Sequence, residues 1–109
     1  MNEPVQIPAR YGFDDLDGFV DYFAHVLTLD EDFFIPEEFI PPELRWTVDD
    51  VLRGLELGYK LVSAKTADAP LLVECRRLTC EARTLFDDDR FEEGQAKLSA
   101  AQRLIETLV

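Results

Sequence analysis

The sequence has few of the residues on which enzyme chemistry usually depends. Its 109 residues include one His, two Cys and one Met, and they contain neither a Gly-rich phosphate loop nor a Gly-x-Ser-x-Gly turn. Catalysis needs a nucleophile beside a base, paired carboxylates in a cleft, or a bound metal or cofactor. Asp21 precedes His25 by four residues, a spacing more typical of an exposed ion pair on a helix than of a base with its orienting carboxylate. We therefore predict a protein that is not an enzyme and uses no cofactor.

Cysteine is too scarce for a disulfide framework or a metal centre. Cys75 and Cys80 are five residues apart in a predicted helix, so their side chains diverge and cannot form a disulfide with each other. We interpret both as free, mostly buried thiols in a reducing compartment. A zinc site would need more ligands than these thiols and His25 supply. The acidic runs at residues 30–32 and 87–89 lack the ligand spacing of a helix-loop-helix calcium site, so we predict no metal site.

Long apolar runs are also missing. No stretch approaches the roughly 20 apolar residues that a membrane-spanning helix needs. The first ten residues, MNEPVQIPAR, lack the basic start, apolar stretch and cleavage site of a secretory signal. From these absences we expect a cytoplasmic protein that does not contact a membrane.

Positive charge is scarce and unevenly distributed. The net charge is −12, and residues 1–50 hold thirteen acidic side chains against two basic ones, whereas residues 51–109 hold ten against nine. A strongly acidic surface repels nucleic acid and anionic lipid headgroups and attracts basic proteins. We therefore predict a basic protein partner and no direct binding to nucleic acid.

Four amphipathic segments predict an all-α fold, a small four-helix bundle in one domain over residues 1–109. The predicted helices cover residues 14–29, 48–65, 70–86 and 90–108, after an extended lead-in at residues 1–13. Thr47 and Asp50 have the spacing of a capping box for the second helix, and Asp89 is the predicted N-cap of the fourth. Gly54 and Gly58 lie four apart in the second helix, which fits either close packing of a neighbouring backbone or simple tolerance of glycine at these positions. The short connection between helices three and four predicts an antiparallel hairpin.

Acidic, aromatic and proline residues are concentrated in residues 30–46, DEDFFIPEEFIPPELRW, which we call the arm. Three prolines exclude a long helix here. Two interpretations stay open: the arm wraps over the bundle or over a second copy of the chain, or its aromatic side chains stay exposed as anchors inside an acidic rim. The second interpretation predicts eight partner-binding residues, which are Asp30, Glu31, Asp32, Phe33, Phe34, Glu37, Glu38 and Phe39.

Residues 78–101 carry large and small side chains in a pattern that matches a known repeat. The positions are Leu78, Ala82, Leu85, Phe91, Gly94, Leu98 and Ala101, and with the phrase DRFEEGQAKL this stretch resembles a single tetratricopeptide repeat. The sequence departs from that family at Gly94, Glu81 and Glu106, where the family usually has Ala, Leu and Pro, and no second copy stands 34 residues upstream. Plain packing of a helical hairpin produces the same pattern. The resemblance implies a hairpin that serves as an interaction module.

Together these patterns favour a non-catalytic protein-binding module. A small acidic protein of this kind is expected to inhibit or neutralise a basic partner, as immunity proteins, antitoxins and phage inhibitors of defence systems do. The alternative is a helical adaptor, secretion chaperone or homodimeric scaffold that binds through the C-terminal hairpin. Binding that barely responds to salt would indicate this alternative.

Overall fold

The computed structural model describes residues 7–29, 46–65 and 69–108. Four α-helices form: α1 over Leu16–Val26, α2 over Val48–Lys65, α3 over Ala69–Asp87 and α4 over Phe91–Glu106. The predicted all-α class with four helices is confirmed, and within the described ranges there is no strand. The lead-in, predicted to be extended, contains a short 3-10 helix over Ala9–Tyr11.

Helices α1 and α2 run antiparallel, because residues further along α1 contact residues nearer the start of α2. Phe19 of α1 lies against Gly58, whereas Tyr22, one turn later, lies against Gly54. The Tyr22 hydroxyl then reaches the carbonyl oxygen of Val51, one turn nearer the start of α2. The two helices are therefore aligned over several turns.

The same reversal holds for the next two pairs of helices. Arg83 in the last turns of α3 pairs with Asp49 in the first turn of α2. Helices α3 and α4 form the predicted antiparallel hairpin, with Phe86 against Gly94 at the turn and Cys75 bonded to Ala101 further along. The bundle thus alternates in direction from each helix to the next.

Because the helices alternate in direction, each end of the bundle contains one terminus of each of the four helices. The end of α1, the start of α2, the end of α3 and the start of α4 lie together. Leu29 and Trp46, which flank residues 30–45, lie at this end of the bundle, and we call it the arm end. The start of α1 and the end of α4 lie at the opposite end, the far end.

The core is built from apolar side chains of the lead-in and all four helices. Phe19, Phe23, Leu55 and Tyr59 are fully buried, and each such side chain stabilises the fold by about 1.5–3 kcal/mol relative to an exposed one. The remaining buried members are Tyr11, Phe13, Val26, Val51, Leu52, Val62, Leu72, Cys75, Leu78, Ala82, Leu98, Ala101 and Ile105. The lead-in is therefore part of the core, since it supplies two buried aromatic rings.

The start of α2 is fixed by the predicted capping box. The Asp50 N–H donates to the Thr47 hydroxyl at 3.1 Å, and the Thr47 N–H donates to the Asp50 carboxylate at 2.9 Å. Each side chain thus satisfies a backbone donor at the helix start that has no partner within the helix. Aspartate performs here the role that Glu or Gln usually has.

The turn between α3 and α4 differs from its prediction. Arg90, not Asp89, is the N-cap of α4, and its side chain makes no capping bond but pairs with Glu93. Asp89 has a φ of 61°, and the backbone N–H groups of Asp89 and Arg90 donate to the carbonyl oxygens of Phe86 and Leu85. These two bonds form a Schellman motif, in which the residue after the helix takes a left-handed conformation. Asp89 therefore ends α3 instead of starting α4.

The close packing predicted at the two glycines of α2 is present, but side chains approach them instead of a backbone. A Cβ at Gly54 would lie within 3.0 Å of atoms of Tyr22 and Tyr11, and one at Gly58 within 3.0 Å of the Phe19 ring. Because Gly has no side chain, aromatic rings of α1 and the lead-in pack directly on the backbone of α2.

Candidate functional site

The eight predicted partner-binding residues, Asp30, Glu31, Asp32, Phe33, Phe34, Glu37, Glu38 and Phe39, lie outside the described residues. The structure does describe the two residues that flank this part of the arm. Leu29 follows the last turn of α1, and Trp46 precedes the cap of α2. Both line one groove, so the chain enters and leaves the arm at neighbouring points of the surface.

This groove lies between α1 and the start of α2 and has a volume of about 300 Å³. Its described lining is largely aromatic and aliphatic, with one arginine and one histidine: Arg10, Tyr11, Tyr22, His25, Val26, Leu29, Trp46 and Val51. Such a volume is at the low end for a small-molecule site, roughly 300–1,000 Å³. The groove is therefore large enough for a single side chain or a small ligand.

The tyrosine hydroxyls of the groove are already engaged with α2. Tyr22 donates to the carbonyl oxygen of Val51 at 2.9 Å, and Tyr11 donates to that of Asp50 at 3.0 Å. Burial raises the pKa of Tyr22 and, together with the nearby Asp50 carboxylate, that of Tyr11. Both phenols are therefore neutral near pH 7 and hold the lead-in and α1 against the first turn of α2.

Trp46 lines one side of the groove and packs against the lead-in. Its ring lies edge-on to Tyr11, with 5.4 Å between the ring centroids. The Arg10 guanidinium lies 4.2 Å from the centroid of the Trp46 ring and 4.0 Å from the Asp50 carboxylate. A cation over an indole face contributes about 0.5–1 kcal/mol at an exposed site. Trp46 thus has a structural role, whatever the rest of the arm does.

Gln95 fixes the other flank of the arm. Its side-chain amide in α4 donates to the carbonyl oxygens of Val26, at 3.2 Å, and Leu29, at 3.0 Å. Val26 is the last residue of α1, and its carbonyl oxygen also accepts from the N–H of Leu29 at 3.2 Å, so Gln95 adds a second bond there and also binds Leu29 just beyond the helix. Leu29, the last described residue before the arm, is therefore hydrogen-bonded to a residue of α4 that lies 66 positions later in the sequence.

His25 lines the groove but has no catalytic partner in the described part of the chain. Both His25 and Asp21 are exposed on α1. Within the ranges that the structure describes, no hydrogen bond or ion pair joins their side chains. The predicted exposed ion pair is therefore not formed, and neither is a base with an orienting carboxylate.

The two thiols are free, as predicted, but only one is buried. Cys80 is exposed, whereas Cys75 is fully buried and directs its thiol at the Ala101 carbonyl oxygen, 3.7 Å away. Burial raises the pKa of the Cys75 thiol to about 11, so it is protonated and unreactive near neutral pH. Among the described residues, no group of three or more His, Cys, Asp or Glu side chains could hold a metal ion.

The arm end also carries a second group of acidic residues, which spacing along the sequence does not connect with the arm. Asp87, Asp88, Asp89, Glu92 and Glu93 follow one another around the turn between α3 and α4, and all are exposed. Glu93 pairs with Arg90, but no described basic side chain lies within ion-pair distance of the other four. The number of helices could have indicated this grouping. In a bundle whose helices alternate in direction, the connection from α1 to α2 and the connection from α3 to α4 lie at the same end.

A scan against protein-family models, a search of curated proteins and a search of solved structures each find no match to this chain. None of the described helices combines the length and apolar character that crossing a membrane requires. Functional interpretation therefore rests on the charge, the groove and the arm end.

Proposed function

We propose that this protein is a non-catalytic binding module that neutralises a basic partner protein in the cytoplasm, in the manner of an immunity protein, antitoxin or phage anti-defence inhibitor. The observation that carries the proposal is the grouping of acid at the arm end. Residues 30–45 contain six acidic side chains and one basic side chain. Leu29 and Trp46, which flank them, lie at the same end of the bundle as the exposed acidic turn between α3 and α4. A surface of one sign steers a partner of the opposite sign and raises its association rate.

The acids at the far end stabilise the start of α1, so we leave them out of the proposed partner-binding surface. Asp14, Asp15 and Asp17 precede or begin α1, where negative charge stabilises a helix. The Asp15 carboxylate caps α1 by accepting from the N–H of Gly18 at 2.8 Å. Asp14, Asp15 and Asp17 therefore lie at the end of the bundle opposite the acidic turn between α3 and α4, and we assign partner steering to the arm end.

The proposed mechanism has two steps. Exposed acids at the arm end first attract the basic partner over a distance set by salt, about 10 Å at 0.1 M. Aromatic side chains of the arm, Phe33, Phe34 and Phe39, then bury themselves against an apolar part of the partner and slow its dissociation. The acids thus act on the association rate and the aromatics on the dissociation rate.

Affinity capture from the native host lysate tests the proposal and identifies the partner. The intact protein is used as bait at about 50 mM and about 300 mM salt, and bound proteins are identified by mass. A basic protein that is retained at low salt and released at high salt is the expected result. Capture of only neutral or salt-insensitive partners contradicts the proposal.

Charge variants then locate the surface on the captured partner. Replacing Asp30, Glu31, Asp32, Glu37 and Glu38 with their amides is expected to slow association at low salt while leaving folding nearly intact. A matched pair separates the two ends of the bundle. Asp87→Asn, Asp88→Asn and Glu92→Gln remove three charges at the arm end, and Asp14→Asn, Asp17→Asn and Glu106→Gln remove three at the far end. Equal slowing by the two sets would mean that net charge alone matters.

The alternative, a helical adaptor, secretion chaperone or homodimeric scaffold, has one observation in its favour. Val73 on α3 of the hairpin is 64% exposed, so one hydrophobic side chain of the hairpin is open to a partner. A single exposed apolar residue is ordinary on a soluble protein, however, and docking surfaces need a larger patch. Val73→Ser would weaken partner binding or self-association if the hairpin were the binding face, and would leave binding unchanged under our proposal.

A further inference from the structure

We draw no further inference here: the strongest candidate, the aromatic groove between α1 and the start of α2, is bounded by the two flanks of residues 30–45, and nothing in the described part of the structure shows what covers it.

Discussion

The ring of Phe19 lies on the backbone of Gly58, in the space that any side chain at position 58 would need. Phe19 has no solvent exposure, and a Cβ at residue 58 would lie within 3.0 Å of three atoms of its ring. Real Cβ atoms essentially never approach a neighbour so closely. The separation of α1 from α2 therefore depends on the absence of a side chain at Gly58.

Gly58→Ala is expected to lower the free energy of unfolding, although Ala favours a helix by about 1 kcal/mol. Overpacking a core costs about 1–3 kcal/mol, so the net loss should reach up to about 2 kcal/mol. Urea unfolding measures this loss. Ser63→Ala, at an exposed position of the same helix, is the control and should have little effect.

A collision with the Phe19 ring can be distinguished from a general intolerance of side chains at position 58 by replacing Phe19 with a smaller residue. Phe19→Leu should itself destabilise the core, but adding it to Gly58→Ala should cost less than the sum of the two single changes. Strict additivity would show that the ring and the new methyl group do not collide.

A buried hydrogen-bonded chain links α2 to α3. The Thr79 hydroxyl donates to the Cys75 carbonyl oxygen at 2.9 Å and lies 2.8 Å from the Tyr59 hydroxyl, which therefore donates to it. Thr79→Val should cost about 1–3 kcal/mol, because the buried Tyr59 hydroxyl then has no partner. In the Thr79→Val background, Tyr59→Phe should cost less than it does alone, because the unpaired group is removed. Equal effects in both backgrounds would refute the linkage.

The left-handed residue that ends α3 is a site of predicted stabilisation. Asp89 has a φ of 61°, a conformation that glycine adopts without a steric penalty. Asp89→Gly should raise the free energy of unfolding by roughly 0.5–1 kcal/mol. Asp88→Gly, one residue earlier and without a positive φ, is the matched control and should not stabilise the protein.

Local patterns predicted the fold well where one segment decides its own structure. The period of the apolar residues places α2 at residues 48–65, as observed, and the spacing of Thr47 and Asp50 predicts the cap that forms. Asp89 was assigned wrongly because an acidic residue before a helix resembles an N-cap, whereas the preceding helix continues to Asp87 and requires a left-handed residue for its own termination.

The candidate site depends on contacts between segments far apart in sequence, which spacing does not reveal. Gln95 anchors Leu29 across 66 residues, and no local pattern marks it. The acids at residues 87–89 lie at the same end of the bundle as the two flanks of the arm because of the direction of the helices, which spacing along the sequence does not reveal. The eight arm residues remain predictions, since they lie outside the described ranges.

Gln95 provides a test of how the arm is attached. Gln95→Glu keeps the shape of the side chain, but a carboxylate cannot donate to the carbonyl oxygens of Val26 and Leu29. We expect a loss of about 1–3 kcal/mol in the free energy of unfolding at neutral pH. Because a protonated carboxyl group can donate again, the loss should shrink as the pH falls toward about 5. Gln102→Glu, on the same helix, is the isosteric control and should show neither effect.

Stability should fall in alkaline solution, and Cys75 should begin the fall. Its pKa is raised by burial from an ordinary value of 9.0 to about 11, so the folded state holds this proton more tightly than the unfolded state does. A group of this kind contributes stability that is complete below the unfolded pKa and is lost as the pH rises through the folded one. Tyr22 and Tyr59, whose pKa values burial also raises, add to the loss only above their ordinary value of 10.0.

The slope of stability against pH identifies the thiol. Between about pH 9 and 10, one released proton lowers the free energy of unfolding by up to roughly 1.4 kcal/mol per pH unit. Cys75→Ala should lower stability at every pH because packing is lost, but it should flatten the slope in this interval. Cys80→Ala removes an exposed thiol that meets water in both states, so it should keep the slope of the parent protein. If Cys75→Ala retained that slope as well, the alkaline loss would have to come from other groups, and the buried thiol would not be the first to ionise on unfolding.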